Sequence, residues 1–143
     1  MPRVSKIRLE QKQLEEMNTH LSYLISSLNN SGEIISFMEE FLTKEEKTML
    51  VKRLMLFIML KRKYSPSVIQ SALHISYETV RTYQNQLNNK SKTFNDMITR
   101  LINRDQTKEL FVKIDKILKP LSLALEAKNN MKSRAKFLSG DYH

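Results

Sequence analysis

Apolar residues recur at a spacing of seven along the start of the chain, at Ile7, Leu14, Leu21 and Leu28, with Met17 and Leu24 three residues after Leu14 and Leu21. A stripe this narrow predicts a helix over about Lys6–Leu28 that packs its seam against another helix, of its own chain or of a second copy. Asn29-Asn30-Ser31-Gly32 ends the pattern, and a short helix over about Glu33–Phe41 follows, burying Ile34, Ile35, Phe37 and Met38. Thr43-Lys44-Glu45-Glu46 has the form of a capping box, so a new helix starts there and runs to about Arg62. Its run Leu54–Leu60 is apolar on every side and must be covered on every side, which favours an intertwined oligomer.

Between Ser65 and Leu87 the pattern shortens to two helices and a turn. Ser65 caps a helix with Pro66 at its first position, where the missing N–H costs nothing, and Ile69, Ala72 and Leu73 form its inner stripe. Ile75 anchors the turn, and His74 stands at a position suited to a left-handed backbone. Ser76 caps the second helix, which buries Val80, Tyr83 and Leu87 and shows Glu78, Arg81, Thr82 and Asn85 to solvent. This is the pattern of a helix-turn-helix, whose second helix enters the major groove of DNA. Further helices are expected at Phe94–Ile102, at Gln106–Leu118 and, after a break at Lys119-Pro120, around Leu121–Ala127. A basic tail with Lys128, Lys132, Arg134 and Lys136 follows. The expected fold class is all-α, with residues 1–90 forming a helix-turn-helix domain and residues 91–143 a C-terminal helical extension.

Composition narrows the partners. Twenty-four Lys and Arg against 15 Asp and Glu give a net charge of +9, which favours a polyanion. The chain has no cysteine, so disulfides and thiolate zinc sites are excluded, and its three histidines are scattered, so no metal site is expected. Neither a phosphate loop nor a clustered His/carboxylate set is present, so neither an enzyme nor a cofactor is expected. No apolar run approaches the ~20 residues of a membrane helix, and a cytoplasmic protein without membrane association is the expectation. On the reader helix, Arg81 suits guanine, Asn85 adenine and Glu78 cytosine, with Tyr77 at the edge of the face. Ser67 and Gln70 of the first helix, and Lys61, Arg62 and Lys63 before it, are candidates for backbone phosphates. The competing reading is a protein-interaction or RNA-associated module that keeps the helix-turn-helix as a scaffold.

The segment Phe41-Leu42-Thr43-Lys44-Glu45-Glu46-Lys47-Thr48-Met49-Leu50-Val51-Lys52-Arg53-Leu54, followed by the helix-turn-helix, resembles the Trp repressor family with its pattern LT-x-x-E-[RK]-x-x-L-x-x-R, and Thr79-Val80 matches the threonine and aliphatic pair that opens that family's reader helix. The resemblance spans roughly residues 7–88. It implies an intertwined helical homodimer on a palindromic duplex site. It also implies that Arg53, Leu42, Thr43 and Thr79 stand where the family lines its tryptophan pocket. Thr82 and Tyr83 replace the second ligand-clamping arginine and its neighbouring glycine. A ligand carboxylate thereby loses a charge-assisted partner worth ~1.5–3 kcal/mol. The phenol, aligned this way, points where the indole would lie, so no small-molecule corepressor is expected.

Overall fold

The computed structural model describes residues 7–126, and every regular element among them is a helix: α1 (Gln11–Ser27), α2 (Ser31–Phe41), α3 (Lys44–Lys61), α4 (Pro66–Leu73), α5 (Tyr77–Asn88), α6 (Lys92–Asn103) and α7 (Asp105–Glu126). The basic arm and the basic tail expected from the sequence lie outside the described residues. The chain divides into two compact units after Val51, inside α3.

Among its described residues the first unit has short-range order and no buried side chain. Asn30 caps α2 by accepting from the Glu33 amide at 3.0 Å, so α2 begins at Ser31 and takes in Gly32, which the sequence had suggested as part of the stop. Phe37 and Phe41 stack along α2 with centroids 4.9 Å apart. No residue of α1 or α2 is buried. The seam of α1 begins at Leu14, because Ile7 precedes the helix, and its Leu14, Met17 and Leu24 are each more than 40% exposed. Leaving such a stripe in water is unfavourable by roughly 25 cal/mol per Å² of apolar surface.

At the start of α3 the capping box is built as its residues dictate. The Glu46 amide donates to Thr43 Oγ1 at 3.2 Å, while the Thr43 amide and hydroxyl donate to Glu46 Oε2 at 2.9 and 3.0 Å. Hydrogen bonding from the Thr43 amide, and then from its hydroxyl, holds the Glu46 carboxyl below the ordinary carboxylate range. A depressed folded-state pKa contributes stability above the unfolded-state value and loses it as pH falls through the folded one. Glu46→Ala should therefore destabilise the chain at neutral pH, and the difference should close in acid. Urea unfolding of both proteins at two pH values measures this, and a pH-independent difference would contradict it.

The second unit holds the core, in two clusters that share α3. Leu56, Met59 and Leu60 meet Val68 and Ile69 of α4, Val80 of α5 and Leu118 of α7; Ile58 meets Ile98 of α6 and Phe111 of α7. Phe57 is buried between Tyr83 and Phe94, with edge-on rings 5.4 and 5.2 Å away. The all-round apolar run is thus covered by four helices of its own chain at Leu56–Leu60, whereas Leu50, Val51 and Leu54 remain exposed.

A continuous α7 corrects the expected break at Lys119-Pro120. Proline in a helix interior removes one hydrogen bond and crowds the preceding turn. Leu118, Leu121 and Leu125 lie in or against the cluster shared with α4, and that burial offsets the local cost on both sides of Pro120.

Candidate nucleic-acid interface

Helices α4 and α5 are joined by a three-residue turn whose geometry follows from its residues. Ser65 Oγ accepts from the Val68 amide and Ser76 Oγ from the Thr79 amide, so each helix carries its own cap. Between them His74 is left-handed, with φ 51° and ψ 53°, and the Ile75 amide returns to the Gln70 carbonyl at 3.3 Å. Ile75 turns inward against the core, and Ile69 and Val80 are fully buried beneath the two helices. His74 itself is exposed, and a left-handed residue with a Cβ is strained where glycine is not. His74→Gly should stabilise the chain by about 0.5–1 kcal/mol in urea unfolding; a loss of stability would mean that the imidazole makes a contact the strain argument omits.

This anchoring turns one face of α5 outward. Tyr77, Glu78, Arg81 and Asn85 are all exposed, and their side chains make no hydrogen bond or ion pair among the described residues. Ser67 and Gln70 are exposed on α4. The surrounding charge is one-sided. Residues 52–126 carry fourteen Lys and Arg against six Asp and Glu, a net of +8, whereas residues 7–51 carry four against eight, a net of −4. The positive potential of the chain therefore belongs to the unit that holds α4 and α5.

The basic trio before α4 separates into two roles. Lys61 Nζ donates to Asn95 Oδ1 of α6 at 2.7 Å. Arg62 pairs with Asp115 of α7 at 3.3 Å, and its guanidinium lies 4.3 Å from the Phe111 ring centroid. Both are tied to neighbouring helices, so as phosphate contacts each must first leave a partner. Lys63 is exposed and has no such partner among the described residues. The sequence shows three cations in a row and does not distinguish them, because the partners come from residues 34 and 53 positions away.

A profile of the Trp repressor protein family matches residues 15–112, from within α1 through α6 and into α7. The chain belongs to the Trp repressor family. That family is one of DNA-binding regulators, not of enzymes. The match continues past Ser91, where the sequence had suggested the start of an extension, and α7 beyond Val112 lies outside it. No curated protein and no solved structure matches the chain closely enough to add a named relative.

Three of the positions that line the family's ligand pocket by resemblance, Thr43, Thr79 and Tyr83, make contacts within this chain. Thr43 is committed to the capping box, and the Thr79 hydroxyl lies 2.8 Å from that of Ser76. Leu42 is half-buried in the first unit; Arg53 and Thr82 are exposed in the second. Tyr83, expected by alignment to fill the place of an indole, is half-buried with its ring against Phe57. Among the described residues no group of His, Cys, Asp and Glu is arranged to hold a metal, and no helix is long and apolar enough to cross a membrane.

Proposed function

We propose that this Trp repressor family member is a sequence-specific, DNA-binding transcriptional repressor. It acts in the cytoplasm as a homodimer and reads a palindromic duplex site through the helix-turn-helix at residues 65–87. The observation that carries the reading is the outer face of α5. Four side chains with base-reading chemistry stand exposed and unengaged on a helix fixed from beneath by Val80 and at its start by Ser76. Hydrogen bonding by such side chains in the major groove distinguishes base pairs, and the surrounding positive unit supplies attraction to phosphate. The first unit supports the dimer: a helix whose seam is exposed, in a unit none of whose described residues is buried, has its apolar complement elsewhere, and a second copy of the seam is self-complementary. The exposed seam and the additional α7 would also serve the rival protein- or RNA-interaction module, so the test must separate the two.

Selection of bound duplexes from a random pool, followed by salt titration against the enriched duplex, a random duplex and single-stranded RNA, provides that test. A palindromic consensus whose binding survives moderate salt is expected, and equal affinity for all three nucleic acids would sink the reading. Free tryptophan should neither bind measurably by calorimetry nor alter the affinity, because Thr82 and Tyr83 remove one clamp and engage the ring position.

A further inference from the structure

A groove of about 690 Å³ runs between the start of α4 and the middle of α7. Three of its lining residues are lysines, Lys63 from before α4 and Lys116 and Lys119 from α7. All three are exposed, and none is ion-paired among the described residues. The lining includes one carboxylate, Asp115, and that group is engaged by Arg62 at 3.3 Å, which leaves the groove positive.

We propose that this groove seats backbone phosphates of the bound duplex, making the part of α7 beyond Val112, which lies outside the family-matched residues, a second DNA-contacting element. The inference rests on the DNA-binding reading above and adds to it a surface that α4 and α5 alone do not possess. Placement favours a duplex as the occupant. The first helix of a helix-turn-helix crosses the phosphate backbone, and the groove opens beside the start of that helix, at Ser65. Charge complementarity points the same way, since the groove belongs to the unit of net charge +8.

Lys63 supplies an independent observation. The Tyr64 amide bonds to the Met59 carbonyl and the Lys63 amide to the Leu60 carbonyl, both at 3.1 Å, the paired pattern that ends a helix through one left-handed residue. Glycine is the usual occupant of that position because it lacks the Cβ clash. Here a lysine is held there at φ 63°, exposed at the mouth of the groove. Helix termination alone would be served better by glycine, so a strained lysine kept here beside two further lysines points to a use for its charge.

The test uses the full chain, with anisotropy titrations on an enriched and a random duplex between about 50 and 200 mM salt. Each lost phosphate contact lowers the slope of log K against log salt by about 0.9. Lys116→Gln with Lys119→Gln should therefore lower it by about 2 and weaken both duplexes alike, so that the affinity lost between 50 and 200 mM salt becomes roughly tenfold smaller than in the wild-type chain. Lys108→Gln with Lys113→Gln removes the same charge elsewhere on α7 and should leave the slope nearly unchanged. Lys63→Gly should raise the melting temperature while lowering affinity for both duplexes. An unmoved slope in the groove variant, or an equal change in the control pair, overturns the groove while leaving the base-reading face intact. A wild-type chain without preference for duplex over single-stranded RNA overturns the underlying DNA reading instead. Competition by inorganic phosphate at constant ionic strength, with no change of slope in the groove variant, would mark a small-anion site and also overturn the proposal.

Discussion

Phe111→Ala is expected to destabilise the chain by about 3–5 kcal/mol, the usual cost of emptying a fully buried phenylalanine site. The ring is completely buried between α3, α6 and α7, with Ile58 and Ile98 as its buried neighbours. It also carries the Arg62 guanidinium on its face, so the same substitution removes the surface on which that cation rests before it reaches Asp115. No cavity of this kind refills without movement of α6 or α7, because interiors are packed at crystal-like density. Urea unfolding measures the cost. Phe111→Leu, which keeps most of the volume, should recover a large part of it while removing the nearer of the two rings beside Arg62, whose guanidinium also lies 5.8 Å from the Tyr64 ring centroid. A cost below about 1 kcal/mol for the alanine variant would mean that α7 is not built into the core in solution, against the upper expectation for a buried aromatic.

Arg81→Ala should behave in the opposite way, with little change in stability and a large one in recognition. The side chain is exposed and makes no contact within the described residues whose loss the fold would register. On the cognate duplex it should cost about 1–3 kcal/mol, a loss of roughly five- to 150-fold, and relax selection at one base position. Anisotropy titration on the enriched site and on a panel of single-base variants measures both effects. A loss shared equally by all sequences would reassign Arg81 to a phosphate. Its chain neighbour Val80, with no exposed surface, is the natural contrast: truncation there should damage the fold first and DNA binding only through it.

These two residues also mark what the sequence disclosed. The α4–turn–α5 unit was legible nearly residue by residue, because its capping serines, its proline at the first helical position and its left-handed His74 act within four positions of chain. The capping box at Thr43 and Glu46 was legible for the same reason. The break expected at Lys119-Pro120 does not occur because tertiary burial overrides a sound local rule; nothing between Lys119 and Leu121 announces that Leu118 and Leu125 belong to one buried stripe. Lys61, Arg62 and Lys63 were indistinguishable in sequence, since a cation near a helix end suits a dipole, a phosphate or a distant aromatic ring equally well. Only the folded arrangement gives Lys61 to Asn95 and Arg62 to Phe111 and Asp115. The periodicity of α5 turns Tyr83 inward, but its ring partner, Phe57, lies twenty-six residues earlier and has no local signal in the sequence.

The shortness of α4 has a consequence for the order in which the molecule assembles. Eight residues are too few for a helix to persist in water without neighbours, since autonomous helices need ~12–15. Both flanks depend on a left-handed residue bearing a side chain, Lys63 before it and His74 after it, and unfolded chains rarely visit that conformation. Helix α4 is therefore expected to take shape only as it packs against α3 and α7, whose residues share its buried cluster. Substitutions within it should accelerate unfolding while leaving the folding rate nearly unchanged, the signature of a helix that forms late and opens early.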